Sequence, residues 1–225
     1  MANGPIEKPD AYGADDGWKK AKNALIVREF YKTIKSSGES IYKEKGSRFL
    51  GFTRSVNSEQ EVKDFITNFR KLHPQSVHVC YAFRLGADMK HFRYSDDGEP
   101  SNTAGPPIFG QIQQAELTNC LVAVVRYYGG VKLGFGGLIQ AYRQSAKEAV
   151  NSSEITETED HFLYEIYCDF SHLPQVMNWL KSQKIDIKSQ NYTEKHEITV
   201  QIPNSKLSLL NHLATLNVSY NSLAQ

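Results

Sequence analysis

Cys120-Leu121-Val122-Ala123-Val124-Val125-Arg126 is an unbroken, largely β-branched apolar run, too short for a helix and without the alternation of a half-exposed strand. It reads as a strand buried on both faces, at the centre of a sheet. The chain then turns through Tyr127-Tyr128-Gly129-Gly130-Val131-Lys132-Leu133-Gly134-Phe135-Gly136-Gly137. Beyond it, Phe135, Leu138, Ile139, Tyr142, Ala146, Ala149 and Val150 fall on one helical stripe, with Arg143, Gln144, Lys147 and Glu148 opposite. A central strand, a glycine-rich loop and an amphipathic helix packed back on the sheet make a mixed architecture.

Working outward, Val77–Leu85 and His91–Ser95 read as a strand pair, and Ser101–Gln114 carries a short helix after Gly105-Pro106-Pro107. Ser58 and Glu61 form a capping box, and Val62, Phe65, Ile66 and Phe69 recur at helical spacing, predicting a helix over 58–72. Phe30–Ile34, Ser40–Lys45 and Arg48–Arg54, separated by turns, are expected to form a three-stranded meander. Residues 1–28 read as a flexible extension with a short helix around Trp18–Val27. Downstream, 151–160 is a polar connector. The pattern then restarts with strands at Phe162–Phe170, Ile185–Tyr192 and Glu197–Ile202, and helices at Leu173–Gln183 and Ser205–Leu216. This order, βαββα, predicts an α+β chain of two domains, 29–152 and 158–225.

Hydrophobic residues at 40% and charged residues at 23% fit a globular protein rather than a disordered one. Twenty-six Lys+Arg against 25 Asp+Glu give a charge of +1, so bulk charge does not mark a nucleic-acid binder. Local asymmetry does exist: residues 1–154 carry +4 and residues 155–225 carry −3. No apolar run approaches the ~18 residues of a membrane span and the start has no secretion signal, so the cytoplasm is the expected location and no membrane the expected partner. Cys80, Cys120 and Cys168 are odd in number and widely spaced, and are expected to be reduced and buried.

Three stretches carry chemistry. Between Gly17 and Arg54, ten Lys/Arg face three Glu, a net +7 interleaved with Phe30, Tyr31, Tyr42, Phe49 and Phe52. Basic strands with aromatics can track phosphates and stack bases, and they also fit a solvated face over core aromatics. In the glycine loop, backbone N–H groups at a helix start, with Arg126 and Lys132, can converge on an anion. The spacing is neither a Walker loop nor a dinucleotide fingerprint, and a tight turn needs the same glycines. In Ser95-Asp96-Asp97-Gly98-Glu99-Pro100-Ser101-Asn102-Thr103-Ala104-Gly105, three carboxylates within four positions could hold Mg²⁺ or do acid–base work, or simply build a turn. His78 and Cys80 share a strand face, as a nucleophilic pair or as a buried cysteine beside a bonded histidine.

Taken in order, Lys45-Gly46-Ser47-Arg48-Phe49-Leu50-Gly51, His78-Val79-Cys80-Tyr81-Ala82, Asp96-Asp97-Gly98-Glu99-Pro100 and Thr103-Ala104-Gly105 resemble one family. Val124-Val125-Arg126-Tyr127-Tyr128-Gly129-Gly130, Leu133-Gly134, Gly136-Gly137-Leu138 and Ala141-Tyr142 carry the match most specifically. The family is IMPACT/YigZ, and the resemblance spans about residues 40 to 150. It implies a first domain like domain IV of elongation factor G and a ferredoxin-like second domain like its domain V. Asn102 stands where relatives often have glycine. In eukaryotic relatives the family is associated with restraining a stress kinase that phosphorylates a translation initiation factor. Those proteins carry an RWD domain that this sequence lacks, so that activity is not expected here.

The first expectation is therefore a translation-associated protein, without cofactor, that binds RNA, the ribosome or a translation-linked protein. Its phosphate contacts would come from Lys45, Ser47, Arg48, Arg126 and Lys132, its backbone donors from Gly129, Gly130, Gly134, Gly136 and Gly137, and its stacking from Tyr127 or Tyr128. His78 and Thr103 are candidate polar site residues. The alternative is a metal-dependent hydrolase of a phosphorylated or nucleotide substrate, with Asp96, Asp97 and Glu99 holding Mg²⁺. A third expectation, a regulator docking protein through the second sheet, requires an uncovered apolar face there.

Overall fold

The computed structural model describes residues 30–216 and 218–223, so the expected helix at 18–27 lies outside the described residues. Cys120–Tyr127, the strand β6, does sit at the centre of a five-stranded antiparallel sheet. Its neighbours are β3 (Ser47–Ser55) and β4 (His78–Leu85), with β2 (Glu39–Glu44) and β5 (His91–Ser95) at the edges. Every residue of β6 from Cys120 to Arg126 is buried because helices cover both faces. On one face α1 (Glu59–Leu72) lays Val62, Ile66 and Phe69 against Phe52, Val79, Phe83, Leu121, Ala123 and Val125. On the other, α2 (Gly105–Gln114) and α3 (Gly134–Asn151) pack Ile108, Ile112, Ala141, Tyr142 and Ala146 onto Phe49, Cys80, Val122 and Val124.

The expected capping box forms with one change of partner. The Ser58 side chain accepts from the Glu61 N–H at 3.2 Å, while the Glu61 carboxylate accepts from the N–H of Asn57 rather than of Ser58.

The meander does not form. β1 (Phe30–Ser36) leaves β2 and β3 and pairs antiparallel with β7 (Glu154–Glu159), from Phe30 opposite Glu159 to Ser36 opposite Glu154. The expected polar connector is thus a strand, because its carboxylates face the lysines of β1. Lys32 lies opposite Glu157, and Lys35 Nζ meets Glu154 Oε1 at 2.5 Å, a bond that holds the Glu154 carboxyl below its ordinary pKa. β1 is nonetheless anchored to the first core through buried Ile34 and through Thr33 Oγ1, which donates to the Asn119 carbonyl.

The chain after β7 builds a four-stranded antiparallel sheet of order β11-β8-β10-β9. Its strands are β8 (His161–Cys168), β9 (Asp186–Tyr192), β10 (His196–Pro203) and β11 (Ser219–Leu223). Ile166, Ile198, Val200 and Ile202 pack under Val176, Trp179 and Leu180 of α4 (Leu173–Ser182). The expected last helix is broken into a 3-10 segment, Asn204–Leu210, and a short α5, Asn211–Thr215. β11 extends the expected βαββα order; Ser-Tyr-Asn-Ser-Leu has no strand pattern of its own and is recruited by β8. The outward positions of this sheet mix the polar Glu165, Thr199 and Gln201 with Leu163, Tyr167 and Leu223. No helix among the described residues is long and apolar enough to cross a membrane.

Candidate nucleic-acid interface

One end of the five-stranded sheet gathers the β2–β3 turn, the end of β6 and the start of α3. The turn is the two-residue Lys45-Gly46, with φ of 44° and 82°, the left-handed pair that a tight hairpin demands. Against it lies Gly129, where a Cβ would sit 1.9 Å from the Gly46 carbonyl carbon. The Gly129 N–H donates to Ser47 Oγ at 3.1 Å. Only glycine permits this approach, and it brings Lys45 of the hairpin and Lys132 of the loop to the same end of the molecule. Ser47 is buried, so it clasps the loop instead of presenting a hydroxyl to a ligand.

Around this clasp the surface is basic and aromatic. Lys43, Lys45, Arg48 and Lys132 are exposed, and so are Tyr128 (48%), Val131 (51%) and Phe135 (65%). Phe135 has the phase of the packed stripe, yet burial on α3 begins only at Leu138, because the first turn precedes the part of the helix that α2 and the sheet cover. α3 starts without a side-chain cap and without an acidic residue in its first turn, and Gly134 and Gly136 are exposed there. Its unsatisfied N–H groups and dipole favour an anion.

The neighbouring helix start shows what an anion does in such a place. Asp96 Oδ1 accepts from the N–H groups of Ala104 and Gly105, at 2.9 and 2.8 Å, and Oδ2 accepts from that of Asn102 at 2.8 Å. Asp97 is equally committed: it accepts from the Val79 N–H at 2.6 Å and from Arg70 at 2.5 Å. Thr103 Oγ1 donates to the Pro100 carbonyl and is buried. Asn102, at φ 65°, adopts the left-handed conformation that asparagine tolerates best after glycine.

Glu99 is buried beneath this turn. It accepts from Arg126 Nη1 at 2.5 Å and from the Tyr142 hydroxyl at 2.7 Å. The three carboxylates therefore serve three separate sets of donors, and no group of three acidic, His or Cys side chains among the described residues is placed to hold a metal. The local density of carboxylates in the sequence goes with a knot of capping and tethering bonds.

Arg126 is turned inward as well. It is 5% exposed, its guanidinium lies 5.3 Å from the Phe49 ring and 5.5 Å from Tyr128, and its charge is met by Glu99. A phosphate outside cannot reach it. Tyr127 is half-buried, with its hydroxyl 2.8 Å from His73 Nδ1 and Arg48 over its ring, so Tyr128 is the ring left open for stacking. His78 Nδ1 is 2.6 Å from the Asp97 carbonyl, and the Cys80 thiol donates to the Asp96 carbonyl. Burial pushes that thiol far above its ordinary pKa, which favours its neutral form. Phe135, expected on the packed stripe, is exposed instead, and its place between Gly134 and Gly136 was the available signal.

A family profile described as Impact N-terminal domain matches residues 45–150. The chain is 33% identical over 172 residues to the IMPACT family member YvyE of Bacillus subtilis, covering 76% of this chain and 79% of that protein. It is 34% identical over 157 residues to an IMPACT family member of Thermus thermophilus, covering 70% and 84%, and 30% identical over 166 residues to YigZ of Escherichia coli, covering 73% and 81%. A crystal structure of a hypothetical protein superposes with a TM-score of 0.74 at 25% identity, covering 88% of this chain and all of the other.

Proposed function

The chain belongs to the IMPACT family, and from that premise we propose that it is a translation-associated regulatory protein that binds single-stranded RNA, free or on the ribosome, through the sheet end just described. The observation that carries this is the Gly46–Gly129 contact, which sets the exposed Lys45 and Lys132 beside an uncapped helix start and the exposed rings of Tyr128 and Phe135. Cations, backbone donors and stacking surfaces are the parts that single-stranded nucleic acids require. The hydrolase alternative has no support of this kind, because Asp96, Asp97 and Glu99 are each occupied by protein donors. What the family resemblance implies further supports assigning the five-stranded unit to a fold like domain IV of elongation factor G and the four-stranded unit to a ferredoxin-like, domain-V-like one, and a cytoplasmic location goes with this reading.

The test is the salt dependence of binding to a fluorescent oligouridylate, read by anisotropy, with co-sedimentation on ribosomes in parallel. Each phosphate neutralised on a single strand contributes about −0.7 to the log–log slope. Lys45, Arg48 and Lys132 together give a slope near about −2, and Lys132→Ala lowers it by about 0.7. Binding that is absent, or indifferent to salt, refutes the proposal.

A further inference from the structure

Along the outer side of the helical layer, α2 and α3 leave a groove in two stretches. The stretch nearer the glycine loop is a depression of about 310 Å³ whose lining includes Asn102, Pro106, Gly110, Gln111, Ile139 and Arg143. The second, of about 170 Å³, shares Gln111 and continues past Gln114, Lys147 and Asn151. α2 carries no charged residue at all, and among the described residues no acidic one lines either stretch. Arg143 and Lys147 are both exposed, and among the described residues neither belongs to a salt bridge. The one carboxylate in the nearby turn of α3, Glu148, accepts from Gln144.

Phe135, Ile139, Arg143 and Lys147 stand four residues apart, so they form one ridge along α3. At 1.5 Å per residue that ridge runs about 18 Å from the exposed ring at the tip. It begins with a stacking surface, passes an apolar floor and ends in two cations that pair with no carboxylate among the described residues, flanked by side-chain amides. We infer that the α2–α3 groove is a second contact surface for single-stranded RNA, which carries the strand onward from the glycine loop. This rests on the RNA-binding function proposed above. The occupant is a polyanion because, among the described residues, the groove lining carries positive charge only. It is a nucleic acid because the groove continues from the tip that already offers rings and backbone donors, and because Asn102, Gln111, Gln114 and Asn151 supply amides for base edges and phosphates.

The experiment uses the full chain and a fluorescein-labelled 12-nucleotide oligouridylate containing 4-thiouridine. The double variant Arg143→Gln/Lys147→Gln removes two phosphate contacts, so at 0.1 M salt the affinity falls about 25-fold and the slope by about 1.4. Gln114→Lys adds a cation to the groove and tightens binding about fivefold at the same salt, a gain that misfolding cannot mimic. Photocrosslinks map to α2 and α3 peptides as well as to the loop. If the double variant and Gln114→Lys bind like the wild type while Lys132→Ala still weakens binding, the groove inference is overturned and the proposed function stands. If the wild-type chain binds no RNA, both fall. If poly-glutamate binds and is lost in the double variant while RNA binding is unchanged, the groove serves an acidic protein, and the inference is overturned.

Discussion

Arg126 and Lys132 are six residues apart and of like charge, yet one is a structural ion and the other a surface cation. Removing the carboxylate that meets Arg126 tests this directly. Glu99→Gln leaves a buried guanidinium without its counter-charge and is expected to cost about 3–5 kcal/mol in a urea melt. Tyr128→Ala is expected to leave stability unchanged and weaken RNA binding by about 1–3 kcal/mol, whereas Tyr127→Ala, which cuts the bond to His73, lowers stability. The cysteines add a pH dependence. Burial raises Cys80, and pushes Cys120 up to about 12 from an ordinary 9.0. A folded pKa above the unfolded one means that the native state holds the proton longer. Their contribution is therefore fully present below about pH 9 and is lost as pH rises from there, at about 1.4 kcal/mol per pH unit per group. Urea midpoints are expected to be level up to pH 9 and to fall between pH 9 and 11, less steeply in Cys120→Ala.

Elements here are set by periodicity in their interiors and by contacts at their ends. The glycines around α3 separate these influences. Gly129→Ala drives a Cβ into the Gly46 backbone and is expected to destabilise by about 1–3 kcal/mol or more. A Cβ at Gly136 meets nothing within 4 Å, so Gly136→Ala, a better helix former, is expected to stabilise by up to about 1 kcal/mol. Thermal melts of the two variants should move in opposite directions. The acidic turn tells the same story from the other side. Its geometry caps α2, because a carboxylate near three N–H groups is more stable bonded to them than left to solvent.

At the scale of the whole molecule, the β1–β7 ribbon occupies the segment that composition reads as a polar connector. β1 belongs to the first core through Ile34, and its pairing partner is the segment just before β8. A fragment ending at residue 152 therefore strips β1 of its strand partner and exposes an edge, whereas one ending at residue 160 retains the ribbon. The longer fragment, 30–160, is expected to show the higher urea midpoint and to stay monomeric where 30–152 aggregates. Limited proteolysis of the full chain is likewise expected to spare 154–159, whose backbone is hydrogen-bonded to β1.

The sequence by itself determined the parts whose signal is local and periodic: the buried β6 run, the amphipathic stripes of α1, α3 and α4, the capping box at Ser58 and the restart of pattern after residue 160. It also determined the family, because the glycine loop and its flanks are specific in order and spacing. Only the tertiary structure decided where charge and edge strands go. β7 and β11 have no strand pattern strong enough to stand alone and form because β1 and β8 offer them free edges. Arg126, Glu99 and Asp97 were legible as charged residues, but whether a charge faces solvent or a partner depends on side chains brought together from distant positions, as Glu99, Arg126 and Tyr142 are here. Such pairing is a property of packing, and one-dimensional charge patterns do not carry it.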